Sequence, residues 1–154
     1  MIKILKYCLV LTFCFPIMAL GQQSGDSLFN LASQSQTNLS KIETLAKITN
    51  QAKEYPIADV IKAIEWIDSL AIDSLEVYIL YNQNNKLGNY FRYLGFDDEG
   101  LKYFEKNNLI SQRFQLVPEY LNIGLIYHDQ GDYSTAKSYF LKSRNGHYRY
   151  GVNN

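Results

Sequence analysis

Hydrophobic positions along this chain recur at helical spacing. Ile42, Leu45, Ala46, Thr49 and Ala52 trace one face of a helix, and Ile57, Val60, Ile61, Ile64, Ile67 and Leu70 trace another, with Trp66 beside them. No stretch alternates with a period of two, so the pattern predicts an all-α chain of about six to seven helices and no strands. Ser40 with Glu43 three residues later has the form of a capping box and predicts the start of the first of these helices. Pro56 suits the first turn of the next. The Ser, Gln and Asn of 22–25 and 33–38 read as loop, with room for one short helix over 26–36.

A self-match appears at an offset of 36 residues. Residues 84–107 laid on 120–143 pair Leu87 with Ile123, Gly88 with Gly124, Phe91 with Tyr127 and Gly95 with Gly131. The same shift pairs Gly100 with Ala136, Tyr103 with Tyr139, Phe104 with Phe140 and Lys106 with Lys142. Tyr120, Ile123, Gly124 and Tyr127 share one helical face with a small residue at its centre. Glycine costs about 1 kcal/mol inside a helix, so Gly124 is expected where a neighbouring helix comes close. On that basis Gly124→Leu should force the helices apart, whereas Gly124→Ala should be mild or even favourable if the helix tolerates a methyl. Gly131 suits a left-handed helix end and Asp132 the cap of the next helix. The unit predicted is a tight antiparallel helix pair.

Tyr120-x2-Ile123-Gly124-x2-Tyr127, followed by Gly131, Ala136 and Phe140, resembles the tetratricopeptide repeat (TPR), with its W-x2-L-G-x2-Y…A-x3-F pattern. Asn84-x2-Leu87-Gly88-x2-Phe91, then Gly95, Gly100 and Phe104, resembles it in a weaker form, with Asn at the opening aromatic and Gly for the later Ala. The period is 36 rather than the usual 34, and the two extra residues fall between Phe104 and Tyr120, predicting a longer second helix there. The organisation expected is an N-terminal segment over 22–37, a divergent helical pair over 38–72, a TPR-like unit over 73–117, a second over 118–147 and a fraying end over 148–154. The resemblance implies a TPR-like α-solenoid.

Residues 1–21 read as a leader. Lys3 and Lys6 precede a 14-residue uncharged run, Tyr7 to Leu20, and Ala19-Leu20-Gly21 places small residues where a signal peptidase cuts. A membrane anchor is the alternative, but it needs about 20 apolar residues. Cleavage near Gly21/Gln22 predicts a periplasmic or secreted protein without cysteine, because Cys8 and Cys14 both lie in the leader. Of the 154 residues, 15 are basic and 15 acidic, and loss of two lysines leaves a small acidic excess. That balance argues against nucleic acid as a partner.

Candidate chemistry is sparse. The only histidines are His128 and His147, and no serine elbow or phosphate loop occurs, so no catalytic residue, metal or cofactor is expected. Asp97-Asp98-Glu99 reads as a helix start before it reads as a metal site. Tyr78, Tyr81, Tyr103, Tyr127 and Tyr139 read as packing between helices, with an aromatic- or sugar-binding platform as the alternative. Asn82, Asn85, Asn89 and Arg92 share one face of a helix over roughly 75–93, and Leu80, Leu87, Phe91 and Leu94 lie opposite. In TPR arrays the corresponding face lines the concave groove. One repeat later it continues through Pro118, Leu121, Leu125 and His128, giving a surface that could bind a peptide backbone or carboxylate and then an apolar side chain. A merely solvated face fits the same residues.

These readings make the chain an exported scaffold for a protein or peptide, without catalysis of its own. The resemblance also admits the N-terminal sensor input region of a bacterial membrane-bound regulator. The last predicted helix, about Tyr133 to Arg144, carries Tyr139, Phe140 and Leu141, and Tyr148 to Gly151 looks like the opening of a further repeat. An open array end able to self-associate is therefore expected, against Tyr148 and Tyr150 folding back to close the core.

Overall fold

The computed structural model describes residues 24–149. Residues 1–23, which include the expected leader over 1–21, and residues 150–154 lie outside that range. The described chain is all-α, with seven helices and no strand. They are α1 (Asp26–Gln34), α2 (Asn38–Asn50), α3 (Ile57–Leu70), α4 (Ser74–Tyr93), α5 (Asp97–Phe114), α6 (Tyr120–Asp129) and α7 (Tyr133–Arg149).

Capping decides where several of these begin. The cap of α2 is Thr37, whose hydroxyl accepts from the Ser40 amide at 3.1 Å, so the helix starts three residues before the expected Ser40. The chain's capping box lies instead at α4, where Asp73 accepts from the Glu76 amide at 2.9 Å and Glu76 Oε2 takes the Asp73 amide at 3.2 Å. At α7, Asp132 accepts from the Thr135 amide at 3.1 Å, as the Gly131-Asp132 pair predicts. The acids Asp97, Asp98 and Glu99 fill the first turn of α5, where the helix dipole favours them. Phe96, not an aspartate, occupies the cap position itself. α4 and α6 are each followed by a left-handed glycine, Gly95 at φ 77° and Gly131 at φ 80°.

α5 has 18 residues, against 14 in α3 and 17 in α7. It ends at Gln115, which sits at φ 56° without being glycine. α7 runs past the expected stop at Arg144 to Arg149, because nothing over 145–148 breaks a helix except Gly146, and one glycine in a helix costs only about 1 kcal/mol. Leu94 was expected on the face of α4 opposite its polar residues. It is instead the residue closing that helix and is 39% exposed, since the chain leaves the helical path there.

α4 pairs antiparallel with α5, and α6 with α7. Phe104 lies against Gly88 while Asn107, further along α5, bonds to Tyr81, earlier on α4. The main core gathers Phe29, Ala32, Ile42, Leu45, Ile48, Val60, Ile64, Ile67, Leu80 and Leu87 from α1 to α4, with Phe91 stacked on Tyr103 of α5 at 5.7 Å. A smaller core joins Phe104 of α5 to Ile123 and Ile126 of α6, with Leu101, Tyr127 and Tyr139 around them.

The repeated anchors meet as the offset implies. A Cβ built on Gly88 would stand 2.6 Å from Phe104 Cε1, and one on Gly124 would stand 2.6 Å from Phe140 Cε1. Each ring fills the notch of a glycine on the preceding helix. A methyl on Gly124 meets the Phe140 ring below any ordinary contact distance, so Gly124→Ala is mild only where the ring gives way. Phe104 is fully buried, whereas Phe140 is only partly so and can swing outwards. We therefore expect Gly88→Ala to cost about 1–3 kcal/mol. Gly124→Ala should cost less, offset further by the better helix propensity of alanine, about 1 kcal/mol. Urea unfolding of both variants checks this; equal costs would place the two rings in equivalent surroundings.

Candidate functional site

The face of α4 carrying Asn82, Asn85, Asn89 and Arg92 turns towards the start and end of α6. The polar groups on it are largely spoken for. Asn85 Nδ2 donates to Glu119 Oε1 at 2.7 Å, and Asn89 Nδ2 donates to the Asn85 carbonyl and to Asn85 Oδ1 at 3.0 and 3.1 Å. Arg92 clamps Asp129 Oδ2 through Nη2 at 2.7 Å and Nε at 3.1 Å. That guanidinium holds the Asp129 carboxyl below its ordinary range, first through the hydrogen bond.

Glu119, just before α6, is the centre of this arrangement and is 6% exposed. Besides Asn85, its carboxylate accepts from Asn122 Nδ2 at 2.6 Å and, more weakly, from Asn107 Nδ2 at 3.4 Å. Its backbone amide donates to Asn108 Oδ1 at 2.7 Å. Asn107 Nδ2 also donates to the Tyr81 carbonyl, and the Tyr81 hydroxyl donates to the Val117 carbonyl. Three helices and the α5–α6 loop are thus tied at one carboxylate. Thr49 bonded to Gln83 Oε1 at 2.6 Å makes a simpler buried link between α2 and α4. Asn84, fully buried beside this seam, has no bonded partner at either amide atom, nor has Asn107 Oδ1. Such unmet groups cost about 1–3 kcal/mol each, and Asn84 stands where the repeat pattern has an aromatic.

The apolar part of the face is freer. Leu121 is 50% exposed and Tyr78 likewise, so Tyr78 does not pack between helices as expected. Leu125 is half-buried, and His128 is exposed, 3.5 Å from Asp129 Oδ1 and edge-on to Tyr133. Among the anchors, Leu87, Gly88, Phe91, Gly100, Phe104, Ile123, Gly124 and Ala136 are buried, and Tyr120, Tyr127 and Phe140 partly so. Tyr127 stacks on Tyr139 at 5.6 Å. Among the described residues no three His, Cys, Asp or Glu side chains gather as metal ligands, and no helix is long and apolar enough to cross a membrane.

Glu119, Asn107 and Asn108 were missed from the sequence. Two consecutive asparagines inside a long helix are the signal that could have found them, since asparagine disfavours helix interiors unless its side chain is used. No family model, curated protein or solved structure matches the chain.

Two outcomes follow. Glu119→Gln keeps the shape but sets an amide donor against the donors of Asn85 or Asn122, and should cost about 1–3 kcal/mol in urea unfolding. Alkaline stability is the second. Burial, and then the nearby Glu65 and Glu99, push Tyr103 up to about 12, and burial with Glu119 also raises Tyr81. The folded state keeps these protons while the unfolded chain loses them near the ordinary value of 10.0. Stability should therefore be flat below about pH 10 and fall between there and about 12, followed by tyrosinate absorbance alongside circular dichroism. Tyrosinate signal from every tyrosine before any loss of helix would contradict it.

Proposed function

We propose that this chain is an exported TPR-like scaffold that binds a protein or peptide on the α4–α6 face, with no catalysis of its own. The observation that carries the reading is the repeated glycine–phenylalanine notch, Gly88 with Phe104 and Gly124 with Phe140, at the offset of the repeat. Asn85 and Arg92 of α4 reach Glu119 and Asp129 at the two ends of α6, and first helices joined in this way are what line a groove in a TPR α-solenoid.

Within that groove the polar and apolar residues take different roles. Asn85, Asn89 and Arg92 hold α6 against α4 through Glu119 and Asp129, so they set the shape of the face. Leu121 and Leu125, with Tyr78, Asn82 and His128 around them, supply contact surface for an apolar side chain of a peptide. Burying one leucine-sized side chain contributes about 1.5–3 kcal/mol, enough for a recognition step when a backbone is held beside it.

A displayed random-peptide library panned against the purified protein tests this. Enriched peptides sharing an apolar anchor, with binding weakened at least tenfold in Leu121→Glu and an unchanged melt, are expected. No enrichment, or peptides that bind Leu121→Glu equally well, would remove the face from the proposal.

A further inference from the structure

The seat on which α6 rests has a counterpart on α7. In the observed interface, α6 lies on α5. Ile126 Cδ1 comes within 3.3 Å of where a Cβ of Gly100 would be, Ile123 and Ile126 pack with Phe104 and Leu101, and the Glu119 amide bonds to Asn108. Asp129 closes the far end on Arg92. Moving each receiving residue forward by 36 gives Ala136, Phe140, Lys137, Arg144 and His128. Those five line one open cradle of about 360 Å³ along α7 and the end of α6. Leu141, 41% exposed, edges the same cradle.

The cradle keeps the shape of its template and changes its charge. Ala136 and Phe140 repeat the small-and-aromatic floor, while Leu101 and Asn108 become Lys137 and Arg144. α7 contains no acidic residue between Tyr133 and Arg149, although acids outnumber bases over residues 22–154. The docked template, α6 with Glu119 immediately before it, carries Glu119, Ile123, Ile126 and Asp129 at spacings of 4, 3 and 3, although the Glu119 carboxylate itself turns to Asn85, Asn107 and Asn122.

We propose that the α6–α7 cradle docks an acidic amphipathic helix of another protein, with two aliphatic residues three apart flanked by carboxylates. The aliphatic pair occupies the floor over Phe140 and Ala136 as Ile123 and Ile126 occupy the floor over Phe104 and Gly100. The leading carboxylate is drawn to Arg144 and Lys137 by charge, a contact without a counterpart in the template, and the trailing one meets His128, which also faces Asp129 at 3.5 Å. The cradle shares His128 with the rim of the α4–α6 face but does not depend on that face binding anything.

A fluorescent stapled helix with Glu at its first position, Ile at the fifth and eighth and Asp at the eleventh, on an Ala/Gln background, is the probe. Titrated with the full-length protein, it should bind, and the same helix with both acids changed to Lys should bind at least tenfold more weakly. Lys137→Glu with Arg144→Glu should weaken the acidic probe at least tenfold, and Lys137→Ala with Arg144→Ala should weaken it to a smaller degree at an unchanged melt. Lys41→Glu, on α2, controls for net charge and should change little. Equal binding of acidic and basic helices, no binding of either, or alanine variants that fold and bind as before would overturn the proposal. So would a dimer in sedimentation that Leu141→Glu dissolves, since a second copy would then own the cradle.

Discussion

A phenylalanine ring filling the notch left by a glycine fixes the spacing on which the rest of the structure depends. At Gly88 the ring of Phe104 stands where a side chain would begin, so α4 and α5 approach more closely than two helices with Cβ atoms at the contact could. Close approach sets which residues of α5 face outwards. Phe104 then serves two neighbours, because its ring also belongs to the small core with Ile123 and Ile126. The position of α6 is thus inherited from the notch one pair earlier. The same contact at Gly124 and Phe140 passes that geometry to α7.

Packing alone leaves the roll of one pair against the next loosely specified, since the second core is only three buried side chains and their rim. The polar seam narrows it. Glu119 accepts from amides on α4, α5 and α6, and Arg92 holds Asp129 at the other end of α6, so two separated points define the helix's line. A buried carboxylate met by neutral amides adds little net stability but penalises any arrangement that leaves it unmet. Residues resembling a binding surface in the sequence therefore do structural work, and the apolar Leu121 beside them stays exposed.

Much of the architecture is legible in the sequence because helical periodicity and the glycine–aromatic spacing are local signals. The 36-residue offset locates both notches. Errors arise where two local signals compete. Thr37 and Ser40 could each cap α2, and the earlier one wins because Asn38 is then placed to bond the Leu70 carbonyl of α3. The capping box at Asp73 and Glu76 passed unnoticed beside the apolar pattern that follows it. The candidate site was legible only as a face. Which of its groups turn outwards and which turn to Glu119 depends on a residue 34 positions from Asn85, and no periodicity encodes that pairing.

The dependence of the fold on the notch is open to one direct test, a double-mutant cycle in urea with Gly88→Ala, Phe104→Leu and their combination. If the methyl and the ring compete for one space, the smaller leucine relieves the alanine, and the combined cost falls short of the sum by about 1 kcal/mol or more. Strict additivity of the two costs would show that Gly88 and Phe104 do not share a contact, and the account of how each helix pair positions the next would fail.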